Sequence, residues 1–187
     1  MTPTESPLSR WMLRLESATA LDAGVAIVRP VVQAVTSNER IAGVLQGRWL
    51  GHAAHPLVVM APIGMWMSAG LLQMAAVPGS ERSARTLTAA GIFCALPAAG
   101  TGLAEIVNAD ERGKRVGVVH ASLNVAALGA EVLAWASSRS GRRSRSTLWS
   151  LTGLGLVGVS GYLGGHLSVA RKVGTRDPAF AAEDAAT

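Results

Sequence analysis

Four apolar stretches, joined by short polar loops, dominate this chain. Residues 56–77, 86–107, 116–137 and 147–169 are each long enough, as α-helices rising about 1.5 Å per residue, to cross a hydrocarbon core of about 30 Å. Lipid offers no partner for a backbone N–H or C=O, so such stretches must satisfy their own hydrogen bonds, and helices do this within one segment. Charge is scarce: 16% of residues are charged, against about 25% in soluble domains. The expected fold class is all-α, an integral membrane four-helix bundle.

The remainder of the chain is read around that bundle. In residues 1–48, Leu21, Val25, Val28, Val32 and Val35 step by four and three and mark one face of a helix. Pro30 interrupts it, and the segment is too short to span, so 1–48 is expected to be an amphipathic region lying on the membrane or on the bundle end. Residues 49–172 form the membrane domain, and the polar tail 173–187 is expected to be flexible. Four spans put both termini and the loop 108–115 on one side, with loops 78–82 and 138–146 on the other. Basic residues near span ends are similar in number on both sides. No export signal precedes the first span, so the termini are expected in the cytoplasm of a bacterial inner membrane. The net charge of +5 comes from arginines beside apolar segments, where they orient membrane helices, and nucleic acid is not an expected partner. Cys94 stands alone, which excludes an internal disulfide and a Cys-x-x-Cys-His haem attachment.

Within the spans, Pro56 suits the first turn of a helix, Pro62 falls inside the first span, where membrane helices tolerate proline, and Pro97 is expected to kink the second. Gly91, Ala95, Ala98 and Gly102 form a small-residue stripe, and Gly161 and Gly165 have the spacing of a close helix contact. Trp49, Trp135 and Trp149 flank span ends, as interfacial aromatics do.

The chemistry-bearing residues gather in one leaflet. His52 and His55 stand at the start of the first span, His120 four residues into the third, and His166 near the end of the fourth. All four lie within about 10 Å of one surface by helical rise. His120, Asn124 and Glu131 share one helix face, which polar residues in a membrane helix turn inward. His120 and His166 are expected to approach each other, with His52 or His55 in reach and Asn124, Glu105 and Asp110 as supporting partners. Two histidines on different helices are the ligand set of a haem b; three or four with a carboxylate suit a transition metal; either fits membrane electron transfer. A proton relay uses the same residue types, and a small proton- or solute-conducting protein using Glu131 and the polar stripe of the third span is a further alternative. The plainer reading binds no cofactor: His52 and His55 anchor a helix end, His120 hydrogen-bonds Asn124 or a carbonyl, and the chain is a scaffold or subunit. Glu131, toward the other surface, is expected to face the interior near Ser150 or Thr152. No hydrolase or transferase motif is present, so any enzymatic role is at most that of a redox component.

Four segments carry a family resemblance: Gly47-Arg48-Trp49-Leu50-Gly51-His52-Ala53-Ala54-His55-Pro56, then the run 96–105 from Leu96 to Glu105, then 115–124 with His120 and Asn124, then Gly161-Tyr162-Leu163-Gly164-Gly165-His166-Leu167. In this order they resemble the membrane family catalogued as domain of unknown function 2231, over roughly residues 20–175. The chain departs from the family pattern at Ala53-Ala54, Glu105-Ile106 and Lys172-Val173-Gly174-Thr175. The resemblance implies a bacterial four-helix membrane protein. Some members are joined to a Rieske iron–sulfur domain, which implies electron transfer. With one cysteine, this chain would meet such a redox partner only as a separate protein, or pair with a second copy of itself.

Overall fold

The computed structural model describes residues 6–75 and 78–178. The last residues expected in the first span, 76–77, and most of the expected tail, 179–187, lie outside the described residues. The described residues are mostly helical: α1 (Pro7–Ser17), α2 (Asp22–Thr36), α3 (Glu39–Leu45), α4 (His55–Val58), α5 (Met60–Met74), α6 (Glu81–Glu105), α7 (Glu111–Arg139) and α8 (Arg143–Gly165). A π-helical turn, His166–Ala170, continues α8. Among the described residues there is no strand, and the single β-bridge joins His52 to Arg176.

Helices α5, α6, α7 and α8 form an up-and-down bundle. Each packs on its sequence neighbour, α7 on α8 most extensively, and α5 closes the ring against α8. The exterior is apolar. Phe93, Val125, Leu71, Leu96, Leu148 and Val159 are all exposed around the bundle, which is how a protein solvated by lipid distributes its surface.

Local chemistry sets the helix limits. Asp110 caps α7 by accepting from the Gly113 N–H at 2.8 Å, and Asn38 caps α3 through the N–H groups of Arg40 and Ile41. Pro62 has no N–H for the Val58 carbonyl, and the helix breaks one residue later, at Val59, between α4 and α5. Pro97, by contrast, sits inside an uninterrupted α6.

The expected close-packing pair Gly161 and Gly165 is corrected. A Cβ at either would meet open space, whereas Gly153 and Gly164 are the glycines of α8 that admit side chains of α7. The spacing of two glycines says nothing of which way they face.

Helices long and apolar enough to cross a membrane, among the described residues, are Thr19–Thr36, His55–Met74, Glu81–Asn108 and Glu111–Arg139. The first was expected to be too short. Its connections keep it at one end of the bundle. Asp22, at its start, pairs with Arg115 in the first turns of α7 at 2.7 Å. Gln46, just past α3, donates to the Ala104 carbonyl in the last turn of α6 at 3.0 Å. Both anchors are at the same end, and between Thr36 and Gln46 α3 advances only about 10 Å and Ser37-Asn38 about 7 Å. That path is too short to recross a hydrocarbon core.

Residues 173–178, expected in the flexible tail, are tied down. The Val173 N–H donates to Leu167 O at 2.8 Å, Thr175 donates its N–H and hydroxyl to Glu105 Oε2 at 2.7 and 3.1 Å, and the Asp177 N–H donates to Gly51 O at 2.9 Å. A polar sequence conceals this because the partners are main-chain atoms and a distant carboxylate.

Candidate functional site

The histidines divide into one pair and two separate residues. His55 opens α4 and turns its ring into α6, where Nδ1 lies 3.0 Å from the Ala98 carbonyl and 3.1 Å from Thr101 Oγ1. Gly102 makes room: a Cβ there would come within 2.9 Å of the ring. His120, on α7, turns toward α8. Its Nδ1 lies 2.9 Å from both the carbonyl and the hydroxyl of Ser160, and Gly164 leaves space for the ring as Gly102 does for His55. The two imidazoles lie edge to face, with ring centroids 6.4 Å apart and planes at 86°.

Hydrogen bonding fixes the nitrogens. An Nδ1 beside a main-chain carbonyl carries the proton, which leaves Nε2 with its lone pair. On His120, Nε2 is approached by the Asn124 amide at 3.0 Å, and Asn124 Oδ1 in turn accepts from Ser160 Oγ at 2.9 Å. The expected His120–Asn124 contact is therefore present, and a main-chain carbonyl partner with it. On His55, Nε2 has no hydrogen bond among the described residues.

His166 goes elsewhere. It begins the π-helical turn, and Nε2 donates to Glu16 Oε1 of α1 at 2.8 Å. Glu16 is 3% exposed and also pairs with Arg171 at 3.4 Å; Arg171 reaches Asp110 at 2.7 Å. Asp110 thus meets a histidine only through this chain of charges. The Gly113 N–H and then Arg171 hold its carboxyl below the usual aspartate range. His52 is exposed, with Nδ1 3.1 Å from the neighbouring Ala53 carbonyl. Glu105 holds Thr175 and Asn108 rather than a histidine. The expected meeting of His120 with His166 gives way to His120 with His55, because Ser160 and Gly164, not His166, lie level with His120 on α8.

Glu131 is fully buried, as expected. It lies against Gly153, where a Cβ would sit 2.7 Å from Oε1. Neither Ser150 nor Thr152 bonds to it: Ser150 Oγ is itself buried without a partner, and Thr152 donates to the Leu148 carbonyl. Among the described residues no three His, Cys, Asp or Glu side chains converge as ligands of one metal ion. Sequence reading missed Glu16 and Ser160. Glu16 stands four residues after Met12, the spacing of one helix face, and both are buried. Ser160 had no signal beyond its place between glycines.

A bundle of apolar helices, apolar outside and carrying a hydrogen-bonded polar seam inside, defines an all-α integral membrane protein. The family model described as "Predicted membrane protein (DUF2231)" matches residues 51–177, and the chain belongs to that family. Searches of curated proteins and of solved structures found no match.

Proposed function

We propose that the protein is a membrane electron-transfer component whose centre is the His55–His120 pair, ligating a b-type haem. One observation carries this reading, the 6.4 Å between ring centroids. Were a haem bound here, His55 and His120 would hold it through their Nε2 atoms, and two imidazoles sharing one iron lie with centroids about 6 Å apart. The ring anchoring agrees: an Nδ1–H donating to a carbonyl is the usual outer partner of a ligating imidazole and leaves Nε2 for the metal. Asn124, an exposed side chain, has to swing off His120 Nε2 for that nitrogen to ligate. A zinc-type centre fits less well, since it takes three or four protein ligands. When bound, haem supplies a one-electron couple; the chain's own residues orient the two rings and fix their tautomers.

Full-length protein purified in mild detergent from haem-replete membranes should show a haem absorption band with about one haem per chain. His55→Ala and His120→Ala should each lose at least nine-tenths of it, while His52→Ala and His166→Ala keep it. A protein that carries no haem and takes none from added hemin would remove this reading.

The proposed topology is four spans, α4–α5, α6, α7 and α8, with α1–α3 and the chain after α8 on the histidine side. On a Cys94→Ala background, cysteines at Ser80 and Gly141 should react with an impermeant thiol reagent from one side, and one at Asp110 from the other. Labelling of Ser80 and Gly141 from opposite sides would refute it. The same experiment in intact cells reads whether the termini are cytoplasmic.

A further inference from the structure

Far from the histidine pair, three helices direct unpartnered oxygens into one region of the bundle. Gln73 Oε1 from α5, both carboxyl oxygens of Glu131 from α7 and Ser150 Oγ from α8 are all buried and without a hydrogen-bond partner among the described residues. Two glycines let the helices close around this group. A Cβ at Gly153, one turn from Ser150, would lie 2.7 Å from Glu131 Oε1, and one at Gly70, one turn from Gln73, would lie 2.8 Å from Leu154 Cδ1 and 3.9 Å from Ser150 Oγ. An isolated carboxylate is costly in a membrane interior, so this group needs a proton or a cation.

At this end Glu81, Arg143 and Arg139 are engaged, and Arg85 lines a cavity. Glu81 of α6 pairs with Arg143 of α8 at 2.7 Å, Arg139 of α7 lies over the Trp135 ring at 5.1 Å, and the cavity that Arg85 of α6 lines opens to the arginine-rich loop. Helix α5 contributes no titratable group, and among the described residues no cation hydrogen-bonds Glu131. The cavity, about 150 Å³, is lined by Gln73, Ser80, Arg85, Ser138, Arg143 and Ser146 among others. At about 30 Å³ per molecule it has room for several waters. Gln73 belongs to both places: it lines the cavity and carries one of the orphaned oxygens. Ser146 lies one turn, about 6 Å, before Ser150 on α8, and Ser138 lies two turns, about 10 Å, after Glu131 on α7.

We propose that Glu131 is a proton-binding site loaded from the arginine-loop face through the Gln73–Ser146 cavity, with the Gln73 amide and Ser150 hydroxyl as its partners. The step is a bare proton transfer. The Glu131 carboxylate takes a proton from a hydronium ion in the cavity and returns it to water, with no change of oxidation state. It stands independently of the histidine pair, which lies in the other leaflet.

The test is infrared difference spectroscopy of the full chain in lipid nanodiscs, taken across pH 5 to 10 and after transfer to deuterated water. The expected result is a protonated-carboxyl C=O band that titrates, shifts on deuteration and disappears in Glu131→Gln. Ser138→Leu, at the cavity mouth, should slow the deuteration shift at least tenfold and keep the band. Should Glu131→Gln not purify as a folded, monodisperse protein, Glu131→Asp carries the readout, and its band must move in frequency. Three results would overturn the proposal: a spectrum unchanged by both variants, a Glu131 band that neither titrates nor exchanges, which marks a sealed structural acid, or a band governed by sodium concentration rather than pH, which marks a sodium site.

Discussion

Exchanging Glu16 for alanine should free α1 from the bundle and lower stability by about 3 kcal/mol, the lower end of the range for breaking a buried ion pair. Glu16 is almost wholly enclosed and holds both His166 and Arg171, whose side chains keep 18% and 24% exposure. Without it His166 loses its acceptor and Arg171 keeps only Asp110 as a counter-charge, while water reaching them limits the loss. Met12, one turn earlier, belongs to the small core with Val116, Leu163 and Leu167 and stays as the apolar anchor of the same helix. Limited proteolysis reads the result: cleavage between α1 and α2, slow in the parent, should become rapid, and the thermal midpoint in detergent should fall. Glu16→Gln, able to accept from His166 still, should lie between the two. Equal protease resistance of parent and Glu16→Ala would show that α1 is held by its apolar face alone.

The second large effect is at Gly91. Its Cβ would fall within 2.6 Å of Cδ1 in the Trp66 ring and closer still to Nε1. Trp66 is 4% exposed, and its Nε1 donates to the Thr88 carbonyl at 3.3 Å, so the rigid ring has no easy retreat. Gly91→Ala should cost about 1–3 kcal/mol by overpacking, and Gly91→Leu should prevent the α5–α6 pair from closing. Trp66→Leu should restore part of the stability lost in Gly91→Ala, because the cavity it creates takes the new methyl. A double-mutant cycle with no coupling between the two positions would contradict the contact.

Much of the bundle was legible in the sequence because lipid imposes the rule: a long apolar stretch between charged loops can only be a helix. The inward face of α7 was legible for the same reason, since His120, Asn124 and Glu131 share a period that membrane helices turn from lipid. Helix rotation and ring direction were not legible. His166 was expected to meet His120, but its ring goes to Glu16 of α1, a partner 150 residues away that no local pattern announces. The burial of Glu16 was not legible, because it exists only once α1 folds against α7 and the turn after α8. The ordering of residues 173–178 was hidden likewise, since Glu105 is seventy residues away in sequence. Gly91 was read as one member of a stripe that admits a helix; it admits one indole ring.

The α7–α8 seam bears on how the protein is made. Helix α8, diluted by Gly153, Gly155, Gly158, Gly161, Gly164 and Gly165 and headed by arginines, falls outside the set of helices apolar enough to span unaided. Helix α7 carries Glu131, which an insertion machine admits to lipid only at a cost of a few kcal/mol. Only the turn at 140–142 separates the two, and Gly153 of one receives the carboxyl of the other. Neither segment is a good lone passenger. The two should therefore enter the bilayer as a hairpin, α7 waiting beside the translocon until α8 has emerged from the ribosome.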